Sequence, residues 1–193
     1  MQGLGKVGFK IVRRLLEVGA TVYATDINEA AIAEITHIAE ETPGTLEIVA
    51  LDEIYGVDAD IFIPCAMGGI INEETIDQLK VKAVVGSANN QLKTTDIAQV
   101  LKDKGIVYAP DFIVNAGGLI QVADELYGPK PSRVLKKTKA IYDSLASIYE
   151  EADARDITTL EAANIRVEAV LDEQRNRNNF YARNRRPKWQ IKE

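Results

Sequence analysis

Met1-Gln2-Gly3-Leu4-Gly5-Lys6-Val7-Gly8 decides the fold, because its glycines have the spacing of a turn between a strand and a nucleotide-binding helix. In such a unit the first glycine makes the turn, the second lets the backbone approach a pyrophosphate, and the third lets the helix pack closely on the strand. Apolar residues at helical spacing predict a helix over residues 6–17, whose N-terminus would bind the pyrophosphate. Three glycines alone also fit a glycine-rich turn that binds nothing.

A second signal lies 18 residues after Gly8, where the strand predicted over residues 21–26 ends in Asp26. A carboxylate at this offset is typical of the residue that accepts a hydrogen bond from the 2′-hydroxyl of the adenosine ribose. Its charge repels a 2′-phosphate, so the sequence predicts NAD as the cofactor in preference to NADP. The alternative is that Asp26 only caps the helix predicted over residues 28–42.

A strand of about five residues normally precedes such a glycine turn, but only Met1 and Gln2 stand before Gly3 here. In a doubly wound sheet that strand is central. We therefore expect the chain to be an N-terminally incomplete piece of a larger protein. We also expect a gap one strand wide, or a segment from elsewhere filling it, between the strands that end at Asp26 and Pro64.

Strands and helices alternate as far as residue 118, which predicts an α/β fold: a Rossmann-type, doubly wound parallel sheet with its first strand largely missing. Residues 119–175 read as a helical segment that packs on the NAD-binding domain of residues 1–118. The further predicted strands lie at residues 46–51, 61–63, 81–85 and 106–108, and the further predicted helices at residues 74–79, 95–104, 119–127, 131–155 and 159–174.

Composition limits the classes of partner. The 46% hydrophobic content suits one globular core, and the net charge of −6 combines +6 over residues 174–193 with −12 elsewhere. The basic tail over residues 176–193 could bind nucleic acid, but no nucleic-acid motif accompanies it, so we expect a solvated or subunit-contacting terminus. No apolar run approaches 18 residues, and we expect a cytoplasmic protein without a membrane or nucleic-acid partner. The chain has one cysteine, Cys65, and one histidine, His37, so we expect neither an intramolecular disulfide nor a zinc site.

Two predicted strand ends carry further candidate residues, because ligands of open α/β sheets bind beyond the carboxyl ends of the strands. Small residues over residues 64–69 would let a flat ring or a ribose come near the backbone, with Cys65 packing beside the cofactor. Asn89 and Asn90 follow the next strand. They could form a turn or bind the nicotinamide carboxamide and its ribose, and their position favours the ligand role for at least one of them.

Five motifs resemble, in their order, the cofactor-binding half of the glutamate/leucine/phenylalanine/valine dehydrogenases, most nearly the leucine-specific ones. The resemblance runs from residue 1 to about residue 175. The motifs are Gly3-Leu4-Gly5-Lys6-Val7-Gly8, Thr25-Asp26-Ile27-Asn28, the stretch Pro64-Cys65-Ala66-Met67-Gly68-Gly69-Ile70-Ile71-Asn72, Gly86-Ser87-Ala88-Asn89-Asn90-Gln91-Leu92, and Tyr108-Ala109-Pro110-Asp111-Phe112-Ile113-Val114-Asn115-Ala116-Gly117-Gly118 with its continuation to Gly128.

This resemblance implies oxidative deamination of an L-amino acid to a 2-oxo acid and ammonia, with NAD as the hydride acceptor, by a homo-oligomer. The family's lysine base and its acid partner lie in an N-terminal domain that this sequence does not contain, so no catalytic residue is assigned. Together with the glycine turn, the resemblance implies these cofactor contacts: Gly3, Gly5, Lys6, Val7, Gly8, Asp26, Ile27, Cys65, Ala66, Asn89, Asn90 and Asn115.

The resemblance also places Asn115, Leu119 and Val122 at the substrate. Two aliphatic side chains favour leucine, valine or isoleucine over glutamate, whereas an aromatic substrate stays open because the facing wall belongs to the other domain. Two other classes of function fit the sequence less well. A non-catalytic NAD-sensing module needs no amino-acid pocket, and a 2-hydroxy-acid dehydrogenase needs a histidine acid/base, for which His37 is badly placed.

Overall fold

The computed structural model describes residues 1–126 and 128–178, without the side chains of residues 176–178. The basic tail predicted over residues 176–193 therefore falls outside the described side chains. In chain order the elements are α1 Gly8–Glu17, β1 Thr21–Ala24, α2 Glu29–Glu40, β2 Thr45–Ile48, β3 Ile61–Phe62, β4 Ala83–Val84, α3 Ile97–Asp103, β5 Val107–Tyr108, α4 Asp111–Val114, α5 Gly117–Glu125, α6 Pro131–Arg155 and α7 Thr159–Asn178.

Two parallel sheets, β1-β2 and β3-β4-β5, lie on either side of Gln2. Gln2 pairs in parallel with both Thr25 and Pro64. Its backbone N–H donates to the carbonyl of Ile63 at 3.1 Å, and its carbonyl accepts from the N–H of Cys65 at 2.7 Å. Gln2 thus continues one Rossmann-type sheet of order β2-β1-Gln2-β3-β4-β5 across the position of the missing strand.

The rest of that position is a cleft. Met1 lies at its inner end, where the Met1 amino group donates to the carbonyl of Tyr23 at 2.7 Å, and burial lowers the pKa of this amino group to about 6. The cleft has a largely apolar lining: Met1, Leu15, Thr21, Val22, Tyr23, Ile54, Val57, Ala59, Ile61, Phe62, Ile63 and Val81. The predicted gap is therefore bridged at its carboxyl end and open along the remainder.

Three buried clusters hold the layers together. The first joins α1, β1 and α2 through residues such as Leu16, Val22 and Ile35. The second surrounds β3, β4 and β5, and the third joins the C-terminal half of α6 to α7 through Ile148 and Ala162. None of the helices in the described residues is both long and apolar enough to cross a bilayer.

Most element positions agree with the sequence prediction, and α6 has the predicted bounds. The first helix is assigned from Gly8 and not from Lys6, although the N–H of Phe9 already donates to the carbonyl of Gly5. The short helix predicted over residues 74–79 is only a three-residue 3-10 helix, Ile76–Gln78. Most strands are assigned shorter than predicted, although flanking residues still bond across the sheet: the N–H of Val85, just after β4, donates to the carbonyl of Phe62 at 3.0 Å.

Candidate cofactor and substrate site

The three glycines of the first turn have different surroundings. Gly3 has a φ of +100°, and a Cβ atom there would lie 2.8 Å from the backbone nitrogen of Ala66. A Cβ atom at Gly8 would lie 2.0 Å from the carbonyl oxygen of Gly3, so α1 packs directly on the turn. At Gly5 a Cβ atom would meet nothing within 4 Å. The first and third glycines are thus needed for packing, and the second leaves open space at the helix N-terminus.

That N-terminus suits an anion. No side chain caps α1, and its first turn carries no acidic residue. Gly5, Lys6 and Val7 are exposed. Because the first backbone N–H groups of a helix have no partner within the helix and lie at its positive end, they would bind a phosphate.

Asp26 connects the end of β1 to the glycine turn. Its carboxylate accepts from the backbone N–H of Leu4 and, at 2.7 Å, from that of Asn28. Asn28, and not Asp26, caps α2, because its Oδ1 accepts from the N–H groups of Ala30 and Ala31 at 3.1 and 3.3 Å. The alternative that Asp26 only caps this helix is therefore wrong. The contact with Leu4 has no counterpart in the sequence pattern.

The loop after β3 lies against the glycine turn. Cys65 is half-buried, and its Cβ atom lies 3.1 Å from the position that a Cβ atom of Gly8 would take. Ala66 is exposed beside Gly3. Ile27, which follows Asp26, is 84% exposed. The predicted contacts Cys65, Ala66 and Ile27 therefore border the same end of the sheet as the glycines.

The loops after β3 and β4 pack directly on each other. The N–H of Gly69 donates to the carbonyl of Asn90 at 2.7 Å, and a Cβ atom at Gly68 would lie 2.7 Å from the carbonyl oxygen of Asn89. Asn90 has a φ of 52°, a left-handed conformation that asparagine tolerates in turns. Of the two interpretations of the asparagine pair, the structure thus gives Asn90 the turn-forming role, while Asn89 keeps an exposed amide.

Asn115 brings α4 to this loop. Its Nδ2 donates to the Oδ1 of Asn89 at 2.6 Å and to the carbonyl of Ser87 at 3.4 Å. Because both neighbours are acceptors, they determine which way the Asn115 amide points. The Asn115 side chain is half-buried, at the C-terminal end of α4. A side-chain hydrogen bond thus joins two residues that are 26 positions apart along the chain.

Asp111, whose carboxylate bonds the end of the loop after β4, was not identified from the sequence. It is 9% exposed, and its carboxylate accepts from the N–H of Gln91 at 3.1 Å and from that of Phe112 at 2.7 Å. The bond to Gln91 fixes the end of the loop that carries Asn89. Burial, and then the Asp111 charge, raise the pKa of the nearby Tyr108. An acid in the first turn of a helix after Pro110 is the signal that could have identified it.

The two predicted substrate-wall residues lie on α5, which follows α4 directly. Leu119 is 73% exposed and Val122 is 61% exposed. Their spacing of three residues puts them on one face of the helix. Large exposed apolar side chains on one face are typical of a binding surface.

A glycine turn, an acid at the end of the second strand position, and loops meeting beyond the carboxyl ends of parallel strands define the Rossmann class of dinucleotide-binding proteins. The family described as Glutamate/Leucine/Phenylalanine/Valine dehydrogenase matches residues 1–180, and the chain belongs to this family of oxidoreductases. Its members depend on a pyridine nucleotide.

Relatives of this chain carry the names of several amino-acid dehydrogenases. Phenylalanine dehydrogenase from Lysinibacillus sphaericus is 60% identical over 100% of this chain and 51% of its own length. Leucine dehydrogenase from Geobacillus stearothermophilus is 45% identical over 91% of this chain and 46% of its own. The crystal structure of L-tryptophan dehydrogenase from Nostoc punctiforme superposes with a TM-score of 0.83 at 37% identity, over 91% of this chain and 51% of that one. The chain thus spans about half the length of the relatives it matches.

Proposed function

We propose that this chain is the NAD-binding part of an amino-acid dehydrogenase that oxidatively deaminates an L-amino acid with a large apolar side chain to the 2-oxo acid and ammonia. The observation that carries the proposal is the bond between Asp26 and the N–H of Leu4. It fixes a carboxylate beside the open glycine turn, and the two together form the two halves of an adenosine diphosphate site.

Different residues of the chain bind the different parts of NAD. The N–H groups at the start of α1, next to Gly5, bind the pyrophosphate, and Asp26 keeps free lone pairs for the ribose hydroxyls. Asn89 and Asn115 face the nicotinamide end with their amides. When bound, NAD supplies the ring that accepts the hydride. The remaining predicted contacts, which border these groups, are Gly3, Lys6, Val7, Gly8, Ile27, Cys65, Ala66 and Asn90.

The charge of Asp26 supports NAD over NADP, because a carboxylate repels a 2′-phosphate. The substrate follows from two observations. No lysine or arginine occurs between Asp111 and Leu126 to pair with a substrate carboxylate such as that of glutamate, while Leu119 and Val122 are apolar. The 60% identity to a phenylalanine dehydrogenase, against 45% to a leucine dehydrogenase, supports L-phenylalanine over L-leucine as the proposed substrate.

We assign no catalytic acid or base to this chain. In the proposed enzyme another domain supplies both, and the cleft between the domains positions the substrate and its proton acceptor. We further propose that the complete protein is a cytoplasmic homo-oligomer. Sedimentation of that protein would test its oligomeric state.

The experiment has two parts. Titration of the 193-residue chain with NADH and NADPH should show tighter binding of NADH. Asp26→Asn should narrow the difference in binding free energy between the two dinucleotides by about 1–3 kcal/mol, because the amide loses the charge and its one oxygen can accept from only one of the two N–H groups, of Leu4 and Asn28, that the carboxylate bonds. Equal affinity of the unmodified chain for both dinucleotides would contradict the assignment.

The second part measures deamination. The chain alone should show no turnover with L-phenylalanine or L-leucine and NAD, and the longer protein that includes these residues should show it. Robust turnover by the chain alone would require a base among its own residues. NADH binding without turnover by the longer protein would favour the NAD-sensing module.

A further inference from the structure

Asp124 lies in the last turn of α5 and is only 1% exposed. Both features are unfavourable for a carboxylate. The C-terminal end of a helix is the negative end of its dipole, and a buried charge destabilises the fold unless it is paired and hydrogen-bonded. The neighbours of Asp124 must therefore compensate its charge.

These neighbours belong to the start of the next helix. Asp124 accepts from the Nε of Arg133 and, at 2.8 Å, from the backbone N–H of Lys130. Arg133 also donates from Nη2 to the carbonyl of Gly128 at 2.8 Å. Lys130 precedes the first residue of α6, and Arg133 lies in its first turn. The carboxylate thus lies beside the positive end of α6, and the hydrogen bond from Arg133 holds the pKa of Asp124 below its usual range.

The far end of α6 is firmly anchored. Ile148 and Ala152 of α6 are buried against Ala162 and Ala163 of α7, and Ile113 of α4 packs on the same cluster. In contrast, Asp124 is the one buried residue of α5. The Asp124–Arg133 pair is therefore the buried polar contact between α5 and α6. The two helices also approach each other where a Cβ atom at Gly117 would lie 3.8 Å from the Cγ2 of Thr138.

We propose that the Asp124–Arg133 pair is a positioning device that sets the direction of α5, and with it the place of Leu119 and Val122 against the substrate side chain. The inference rests on the proposed function, since it assigns the pair a part in recognising the amino acid. Neither residue touches the substrate in this assignment. They act through α5.

The test compares Asp124→Asn, Arg133→Gln and the double variant. Asparagine has the size of aspartate but accepts one strong bond where the carboxylate accepts two. In the longer protein we expect the KM for L-phenylalanine to rise about tenfold or more, kcat to fall less, and the preference for L-phenylalanine over L-leucine to shrink. The double variant should cost no more than either single one, because each already breaks the pair. Arg133→Lys should restore part of the loss by keeping the charge.

The matched control is Glu151→Gln, which breaks an exposed ion pair with Arg155 on the same helix, 2.8 Å long and far along the chain from α5. Its KM should equal that of the unmodified protein. NADH affinity should stay within about twofold in every variant, since Asp26 is bonded to the glycine turn and that turn packs on α1 and on Ala66.

Hydrogen exchange gives a readout that does not depend on turnover. In the 193-residue chain, Asp124→Asn should speed exchange of the amides of residues 118–126 about tenfold or more and leave those of residues 145–155 unchanged. Unchanged exchange in α5, or faster exchange with an unchanged KM and substrate preference, would overturn the proposal. Loss of NADH binding together with general unfolding would also overturn it, in favour of a role in folding. If the unmodified longer protein does not deaminate amino acids, the proposed function fails, and the exchange measurement still decides whether the pair holds α5.

Discussion

Asn115 donates a hydrogen bond from its Nδ2 to the Oδ1 of Asn89 over 2.6 Å, and so joins the end of α4 to the loop after β4. Among the described residues, no group bonds the Nδ2 of Asn89 or the Oδ1 of Asn115. The pair therefore presents one amide donor and one amide acceptor side by side at the edge of the sheet. A carboxamide needs this complement of partners.

We expect Asn115→Ala and Asn89→Ala each to weaken NADH binding by the 193-residue chain about tenfold, because each removes a hydrogen-bonding group and frees the other side chain. The double variant should lose less than the two single losses added together, since the residues are coupled. Fluorescence titration measures all three. Asn164→Ala, which removes an exposed asparagine of α7, is the control and should bind NADH normally. Strict additivity would show that the two amides do not act as a pair.

Substitutions at Gly5 and Gly8 should affect different properties, NADH binding at Gly5 and stability at Gly8. Gly5→Ala places a methyl group in open space, so its free energy of unfolding should change by no more than about 1 kcal/mol, while NADH affinity should fall at least tenfold because the methyl group takes the room of the pyrophosphate. Gly8→Ala drives a methyl group into the carbonyl of Gly3 and should destabilise the fold by roughly 1–3 kcal/mol or more. Denaturation and titration of both variants check this. A Gly5→Ala variant that binds NADH with full affinity would put the pyrophosphate elsewhere.

Leu119 and Val122 are the proposed wall of the substrate pocket. Shortening both to alanine should leave stability within about 0.5 kcal/mol, because both side chains are mostly exposed. In the longer protein the enlarged pocket should raise the ratio of kcat/KM for L-phenylalanine over L-leucine by about tenfold, since each methylene of fit contributes roughly 1–3 kcal/mol. Steady-state kinetics with both amino acids measure the ratio. If it stays constant, these residues do not form the wall.

Thr158 and Glu161 form a capping box at the start of α7. The N–H and hydroxyl of Thr158 both donate to Glu161 at 2.8 Å, and the N–H of Glu161 donates to the Thr158 hydroxyl at 3.1 Å. Thr158→Ala should destabilise the chain by about 1 kcal/mol, or a few degrees in Tm. Thr36→Ala, at an exposed hydroxyl within α2, is the control and should change Tm little.

The same box gives a dependence on pH. The bonds from Thr158 hold the pKa of Glu161 below its ordinary value of 4.5. A carboxylate with a lowered pKa in the folded state contributes stability that is present above its unfolded pKa and lost as the pH falls through the folded one. The stability difference between the unmodified chain and Glu161→Gln should therefore shrink below pH 4.5 in chemical denaturation. A stability difference that does not change with pH would show that the charge of Glu161 does not contribute to the stability that the capping box provides.

Local patterns were sufficient for much of the fold. Helical spacing of apolar residues, with Pro131 at its start, placed α6 at its observed bounds, and the glycine spacing identified the turn before α1. Such features depend on neighbours three or four residues away, which the sequence shows directly. The glycine turn, Asp26 and the loops after the strands were likewise predicted from the sequence as parts of one site.

Other features depend on groups brought together from distant parts of the chain. Sequence could not show that Asp26 bonds Leu4, that Asn90 forms the turn while Asn89 meets Asn115, or that Asp124 is buried against Arg133. An acid or an amide has the same local pattern whether its side chain is solvated or paired, because its partner is selected by the packing of helices and loops. The order and type of most elements were thus determined by the sequence alone, apart from the 3-10 helix Ile76–Gln78 and the short helix α4. The partners of the polar side chains, which make the site, were decided only by the tertiary structure.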